Sequence, residues 1–271
     1  MNKINKFSAV TTFDFKKHPY GIEMINSFFI NWPNEIQLLA FVENASSIDD
    51  SKVKDKILIS HYHNEIPEYE EFCKKFKHKE KLTDDFRFNA FRFAYKVYAI
   101  YNALKKIKSR YLIWLDADIK THKKIPIEFF EKLIKNTSYM SYLGRKNISI
   151  QHLTYSECGF LIFDTHHSTH KIFWKKMIDM YSGGKLFDEK EWHDSYIFDQ
   201  VRKKIEKKYN VLNFDISQLG LVDIDTKNDE HVFVTSVLGE YMDHKKGNRK
   251  DVKWSPELIK RIKKDRLKST K

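Results

Sequence analysis

A chain of 271 residues and 32.6 kDa has room for one generous domain, or one domain and a tail. Its 41% hydrophobic content includes 21 Phe, 14 Tyr and 5 Trp, which excludes a disordered chain. The net charge of +12 sits mostly at one end: residues 245–271 carry twelve Lys and Arg against three acidic residues, leaving only +3 on the preceding 244.

Taken in order, Phe7–Phe13 reads as a first strand, followed by a polar turn through Lys16–Gly21. Ile22 to Ile30 has helical periodicity and stops before Pro33. Ile36–Val42 is a second strand and Lys56–His61 a third, and Pro67–His78 is a charged helix. A long amphipathic helix over Phe86–Ile107 delivers the chain to Tyr111–Leu115, an apolar run typical of a fully buried strand. Pro126–Asn136 is a helix with proline near its first turn. Strands and helices that alternate in this way predict a mostly parallel sheet covered by helices. Three short strands, Ser138–Leu143, Ile148–Leu153 and Gly159–Phe163, then predict a smaller mixed sheet. Thr169–Tyr181 and Ser195–Lys208 complete the helices, with Gly183-Gly184 ending the first of them.

Cys73 and Cys158 stand in unrelated contexts and suggest neither a disulfide framework nor a Cys-rich metal site. No stretch of 18 apolar residues is present and no apolar leader region follows Met1–Lys6, so the expected setting is the cytoplasm.

Three constellations can carry chemistry. Asp116 and Asp118 follow the buried strand at its carboxyl end, where open α/β sheets bind ligands. Two hard oxygen ligands there suit a divalent cation that also grips a phosphate, although Asp is common in turns as well. His244-Lys245-Lys246-Gly247-Asn248-Arg249-Lys250 spells His-x-x-Gly-x-x-Lys. Its imidazole can complete a carboxylate cation site, its glycine lets backbone amides approach phosphate, and its lysine can offset charge on a departing phosphate. A solvated basic loop is the alternative. Glu191-Trp192-His193-Asp194-Ser195 opens a helix, so Asp194 is either an N-cap or a carboxylate for orienting or activating a sugar hydroxyl. Trp192 and His193 suit a sugar or base platform. Arg92 and Lys96, one helical turn apart, can reach a phosphate or a donor sugar, or form a solvated helix face.

In this order the three constellations resemble a glycosyltransferase of the GT-A fold. Asp116-x-Asp118 with the His-x-x-Gly-x-x-Lys motif is similar to glycosyltransferase family 8, and Trp192-His193-Asp194 to the Trp-His-Asp-Glu-Ser motif of family 6. The resemblance implies a Rossmann-like, mostly parallel central sheet flanked by helices, with a small mixed sheet and a basic C-terminal helical tail. It implies a nucleotide-sugar half at about 1–120, an acceptor half at about 121–250, and the tail at 251–271. It makes Asp116, Asp118 and His244 ligands of Mn²⁺ (or Mg²⁺) and places Gly247 and Lys250 at the diphosphate of a UDP-sugar. Thr11, Thr12 and Phe13 fall where GT-A enzymes contact the nucleoside base. Asp194 and His193 become the candidate catalytic residues. Ser195 stands where family 6 has its candidate Glu nucleophile, and Glu157-Cys158-Gly159 stands where family 8 has Asn-x-Gly. Family 8 implies transfer with retention; an inverting enzyme with Asp194 as general base would use the same residues.

The tail begins with the helix-start signals Ser255-Pro256-Glu257 and carries Leu258, Ile259, Ile262 and Leu267 among basic residues. Such a segment suits an anionic membrane with a lipopolysaccharide or lipid-linked acceptor, or the phosphates of DNA whose modified bases are glycosylated, or plain solvent. A GT-A scaffold serving only to bind membrane or nucleic acid is the non-catalytic alternative. The oligomeric state is not encoded in any motif.

Overall fold

The computed structural model describes residues 5–18, 20–44, 56–81, 83–145, 155–222 and 231–269. The strand expected at Ile148–Leu153 lies outside them. A seven-stranded sheet forms the centre, built from β1 (Phe7–Asp14), β2 (Gln37–Glu43), β3 (Ile57–His61), β4 (Tyr111–Leu115), β6 (Met140–Leu143), β7 (Glu157–Asp164) and β8 (Phe214–Asp215). Its order is β3-β2-β1-β4-β7-β6-β8, with the first four strands parallel and β7 antiparallel to both neighbours.

The side-chain period of a strand divides the core in two. On β4, Leu112 and Trp114 face one layer, while Tyr111, Ile113 and Leu115 face the other. The first layer is closed by α2 (Tyr62–Glu65), α3 (Pro67–Phe76), α4 (Ala90–Lys106), α6 (Ser168–Ser182) and α7 (Asp194–Tyr209). The second is closed by α1 (Tyr20–Asn31) and α5 (Ile127–Lys132). Cover on both faces explains why β4 is an unbroken apolar run.

The α/β architecture, a mostly parallel central sheet with helices on both faces, is as the sequence predicts, with local differences. The strands near 140 and 160 extend the main sheet instead of forming a separate one, because β7 is apolar on both faces and pairs along all of β4. A small second sheet does exist, but it is antiparallel and joins β5 (Ile119–Thr121) to β9 (Met242–His244). The helix expected over 86–107 is broken at Asn89, whose side chain caps α4 by accepting from the Arg92 amide. Residues 86–88 form a separate 3₁₀ turn, capped by Asp85.

The basic tail is docked. In α9 (Pro256–Ser269), Leu258 is fully buried against Val234 of α8 (Val232–Thr235). The buried Arg261 guanidinium donates to the carbonyls of Val234 and Ser236. Ser255 caps the helix at Leu258 and donates through both its amide (2.6 Å) and its hydroxyl (2.7 Å) to the carboxylate of Asp243. Ile259 and Leu267 remain 45% and 69% exposed, so the apolar stripe divides between core and surface. No helix among the described residues is long and apolar enough to cross a membrane.

Candidate active site

The ladder between β5 and β9 brings residues 128 positions apart in the chain to one point. Asp116 leaves β4 with its amide donating to the Gly159 carbonyl at 2.9 Å, which fixes the turn that carries both aspartates. Ile119 then pairs with His244, and Lys245 donates from its amide to the Asp118 carbonyl at 2.9 Å. The imidazole Nε2 of His244 lies 2.9 Å from Asp118 Oδ1 and 3.6 Å from Asp116 Oδ2. One ligand atom from each of these three residues falls within 4.8 Å of the other two. Two carboxylates and one imidazole are a donor set that Mn²⁺ or Mg²⁺ accepts, with coordination positions to spare for phosphate oxygens. The residues fit the cation the sequence implies.

Electrostatics matches that donor set. Burial by itself would lower the pKa of His244, which is 1% exposed, but Asp118 and Glu157 raise it to about 9. Burial opposes ionisation of Asp118, yet the His244 imidazolium and then Lys250 hold its carboxyl well below the usual range. The proton on His244 and the ammonium of Lys250, 3.3 Å from Asp118 Oδ2, thus supply positive charge where a cation would.

The loop after β9 presents the rest of the motif. Gly247 adopts φ 56°, a left-handed turn that favours glycine and starts the 3₁₀ turn Gly247–Arg249. Lys250, at the end of that turn, also donates to the Tyr20 hydroxyl (3.3 Å) and lies 4.5 Å from its ring centre. Gly159 makes room for the imidazole: a Cβ there would sit 2.3 Å from His244 Cε1.

Asp194 is the first residue of α7, and its neighbour does the capping. His193 Nδ1 accepts from the Tyr196 amide at 3.4 Å, so its Nε2 carries the hydrogen that reaches Glu191 at 2.9 Å. Asp194 is left to pair with Lys96 (2.8 Å), which also reaches Asp116 (2.9 Å) and the Cys158 carbonyl (2.6 Å). Burial would lower the pKa of Lys96, but Asp116 and Asp194 raise it above its ordinary value. Conversely, burial would raise the carboxyl of Asp194, and Lys96 outweighs it and lowers it. One buried lysine thus ties the Asp194 carboxylate to the aspartate pair.

The structure brings Asp116, Asp118, His244, Lys250, Lys96 and Asp194 together. Trp192 is not a platform: it is 7% exposed and packs edge-on to Phe88 and Phe187 within the core. Thr12 donates its hydroxyl to the Phe41 carbonyl, the Thr11 hydroxyl is buried without a partner among the described residues, and the Phe13 ring fills the space above Gly21. These three therefore shape the end of β1 from inside. Asp14 receives the amides of Lys16 and Lys17 there, and burial notwithstanding, Asn44 and Lys17 lower its pKa to about 2. Arg92 is exposed on α4. The sequence did not single out Tyr20, Lys246 or Arg145. Lys246 and Arg145 (2.9 Å) both pair with Glu157 Oε2.

No family model matches the chain, and no curated protein matches it. Among solved structures, mouse xyloside xylosyltransferase 1 in its apo form aligns with a TM-score of 0.50 at 11% identity, covering 77% of this chain and 84% of that one. An active-site mutant of LgtC aligns at 0.49 and 11% identity, covering 89% and 87%. The apo glycosyltransferase GlyE of Streptococcus pneumoniae TIGR4 aligns at 0.47 and 9%, covering 79% of this chain but 46% of its own, so this chain spans under half of that protein. The first of these likenesses, with the sheet order and the helices on both faces, establishes the GT-A fold.

Proposed function

We propose that the protein is a glycosyltransferase that moves a sugar from a UDP-linked nucleotide sugar to an acceptor hydroxyl, with Mn²⁺ or Mg²⁺ held by Asp116, Asp118 and His244. The observation that carries this reading is the convergence of those three donors with Lys250 on one GT-A scaffold. Bound there, the cation supplies charge to stabilise a diphosphate leaving group. Lys250, already drawn to Asp118, offers its ammonium to the same phosphates, and a glycine in the left-handed turn at 247 lets an anion approach the backbone closely.

Asp194 acts as fixed negative charge near the aspartate pair, stabilising positive character at the anomeric carbon. The Lys96 ammonium occupies the Asp194 carboxylate at 2.8 Å, and this reading therefore takes Asp194 as a fixed charge in a transfer with retention and not as the base of an inverting mechanism. His193 is a positioning residue that starts the helix bearing Asp194. The acceptor class in this reading is a glycan, a lipopolysaccharide or a lipid-linked sugar. The exposed Ile259 and Leu267 beside Lys263 and Arg266 support contact of α9 with an anionic membrane.

The test is a melting-temperature panel of nucleotide sugars with and without Mn²⁺, followed by assay of UDP release. At saturating ligand, about 100 times Kd, the UDP compound with Mn²⁺ raises Tm by roughly 5–10 °C. Asp118→Ala abolishes the Mn²⁺-dependent part. A shift that survives this substitution removes Asp118 from the site, and no nucleotide effect in the wild type overturns the proposal.

A further inference from the structure

We infer that Glu157 is a positioning residue for the cation site, orienting His244 through its second ring nitrogen and anchoring the loop that carries Lys250. The inference rests on the functional reading above and deepens it. Glu157 opens β7, is 2% exposed, and spreads its two carboxylate oxygens over separate duties. Oε1 accepts the Gly159 amide at 3.0 Å and faces His244 Nδ1 at 3.3 Å. Oε2 is gripped by Arg145 at 2.9 Å and by Lys246.

The geometry leaves the imidazole little freedom. One edge of the ring lies where a Gly159 Cβ would be, Nε2 points to the aspartates, and Nδ1 is buried with no hydrogen-bond partner among the described residues. At 3.3 Å, Glu157 Oε1 is the carboxylate oxygen that faces this nitrogen. A carboxylate accepting from Nδ1–H fixes the tautomer whose Nε2 lone pair faces the cation. Asn or Gln at this position cannot match it, because only an anion also neutralises Lys246 and Arg145. Through Lys246 the same carboxylate holds the chain one residue before Gly247, so imidazole and phosphate-facing loop are set by a single side chain.

Two measurements test this. In wild-type protein labelled with ¹⁵N-histidine and loaded with diamagnetic Mg²⁺ and UDP, the His244 Nδ1–H gives a downfield signal that Glu157→Gln moves upfield; a signal unmoved by that substitution overturns the inference, whereas a proton on Nε2 removes His244 from the cation site and sinks the functional reading. In Glu157→Gln, Mn²⁺ affinity in the presence of UDP, followed by the electron-spin signal of free Mn²⁺, falls roughly 10–100-fold. Lys246→Met, which leaves the imidazole and its carboxylate intact, weakens UDP binding but changes Mn²⁺ affinity in the absence of UDP less than threefold. Glu157→Gln with wild-type Mn²⁺ affinity sinks the assignment of Glu157 alone. Wild-type protein that binds neither Mn²⁺ nor UDP sinks the functional reading instead.

Discussion

Two histidines show how residue surroundings, not residue type, decide what an imidazole does. His244 is buried among carboxylates and held positive, whereas His170 on α6 is buried beside Phe163 with Nδ1 lacking a partner among the described residues, and burial lowers its pKa to about 4. In the unfolded chain His170 titrates near the ordinary value of about 6.5. Protons therefore favour the unfolded state: stability is full above pH 6.5 and is lost as pH falls from there toward 4. At pH 5 the loss from this one group is about 2 kcal/mol. His170→Phe is expected to remove most of it, measured as the difference between urea denaturation at pH 7 and pH 5. Equal acid sensitivity in variant and wild type would show that His170 is not the titrating group.

The candidate site was legible where residue chemistry and spacing coincide, as at Asp116, Asp118, His244 and Lys250. It was illegible where one residue type serves several ends. In Lys245-Lys246-Gly247 nothing in the string distinguishes Lys246, paired to Glu157, from Lys245, which pairs to Glu23 at 3.3 Å. Trp192 read as a platform because an aromatic beside a carboxylate suits both sugar stacking and core packing, and only tertiary contacts choose between them.

At the scale of elements, α9 is the segment whose meaning changes most once its contacts are known. Amphipathic periodicity exposes a stripe, but not that Leu258 and Arg261 are used by the body while Ile259 and Leu267 are not. Its first turn clamps Asp243, the neighbour of His244, so the helix start belongs to the support of the cation site. Removing residues 255–271 is expected to lower both thermal stability and Mn²⁺-dependent UDP binding. Removing only 264–271 should leave both near wild type while weakening any attachment to anionic vesicles. Normal UDP binding by the longer truncation would show the clamp to be dispensable. The β5–β9 pair escaped sequence reading for a plain reason: three residues a side are too short for a periodicity to be seen. The orientation of β7 escaped it as well, since an apolar run specifies burial and not direction.

Across the whole molecule, charge around the site is nearly balanced before any cation arrives. Asp116, Asp118, Glu157 and Asp194 are answered by Lys96, Lys250, Lys246, Arg145 and the proton on His244. A protein balanced in this way folds without metal, unlike small domains whose folding free energy is metal binding. EDTA is therefore expected to cancel the stabilisation given by UDP with Mn²⁺ while leaving a cooperative melt and an unchanged far-UV dichroism spectrum. Loss of structure on chelation would show that the cation is a building element. The same balance implies that a divalent cation alone adds uncompensated charge, so cation and diphosphate should bind each other's complexes more tightly than either binds the free protein.

The short ladder between Ile119–Thr121 and Met242–His244 has a consequence for timing. It is a clip, not part of the seven-stranded frame, so an opening that unseats the buried Met242 and the Ser255 clamp on Asp243 need not break that frame. Each opening would part the imidazole from both aspartates and release whatever they jointly held. Cargo bridging the two jaws would resist that parting, so the dwell of a nucleotide and the lifetime of the clip should lengthen together.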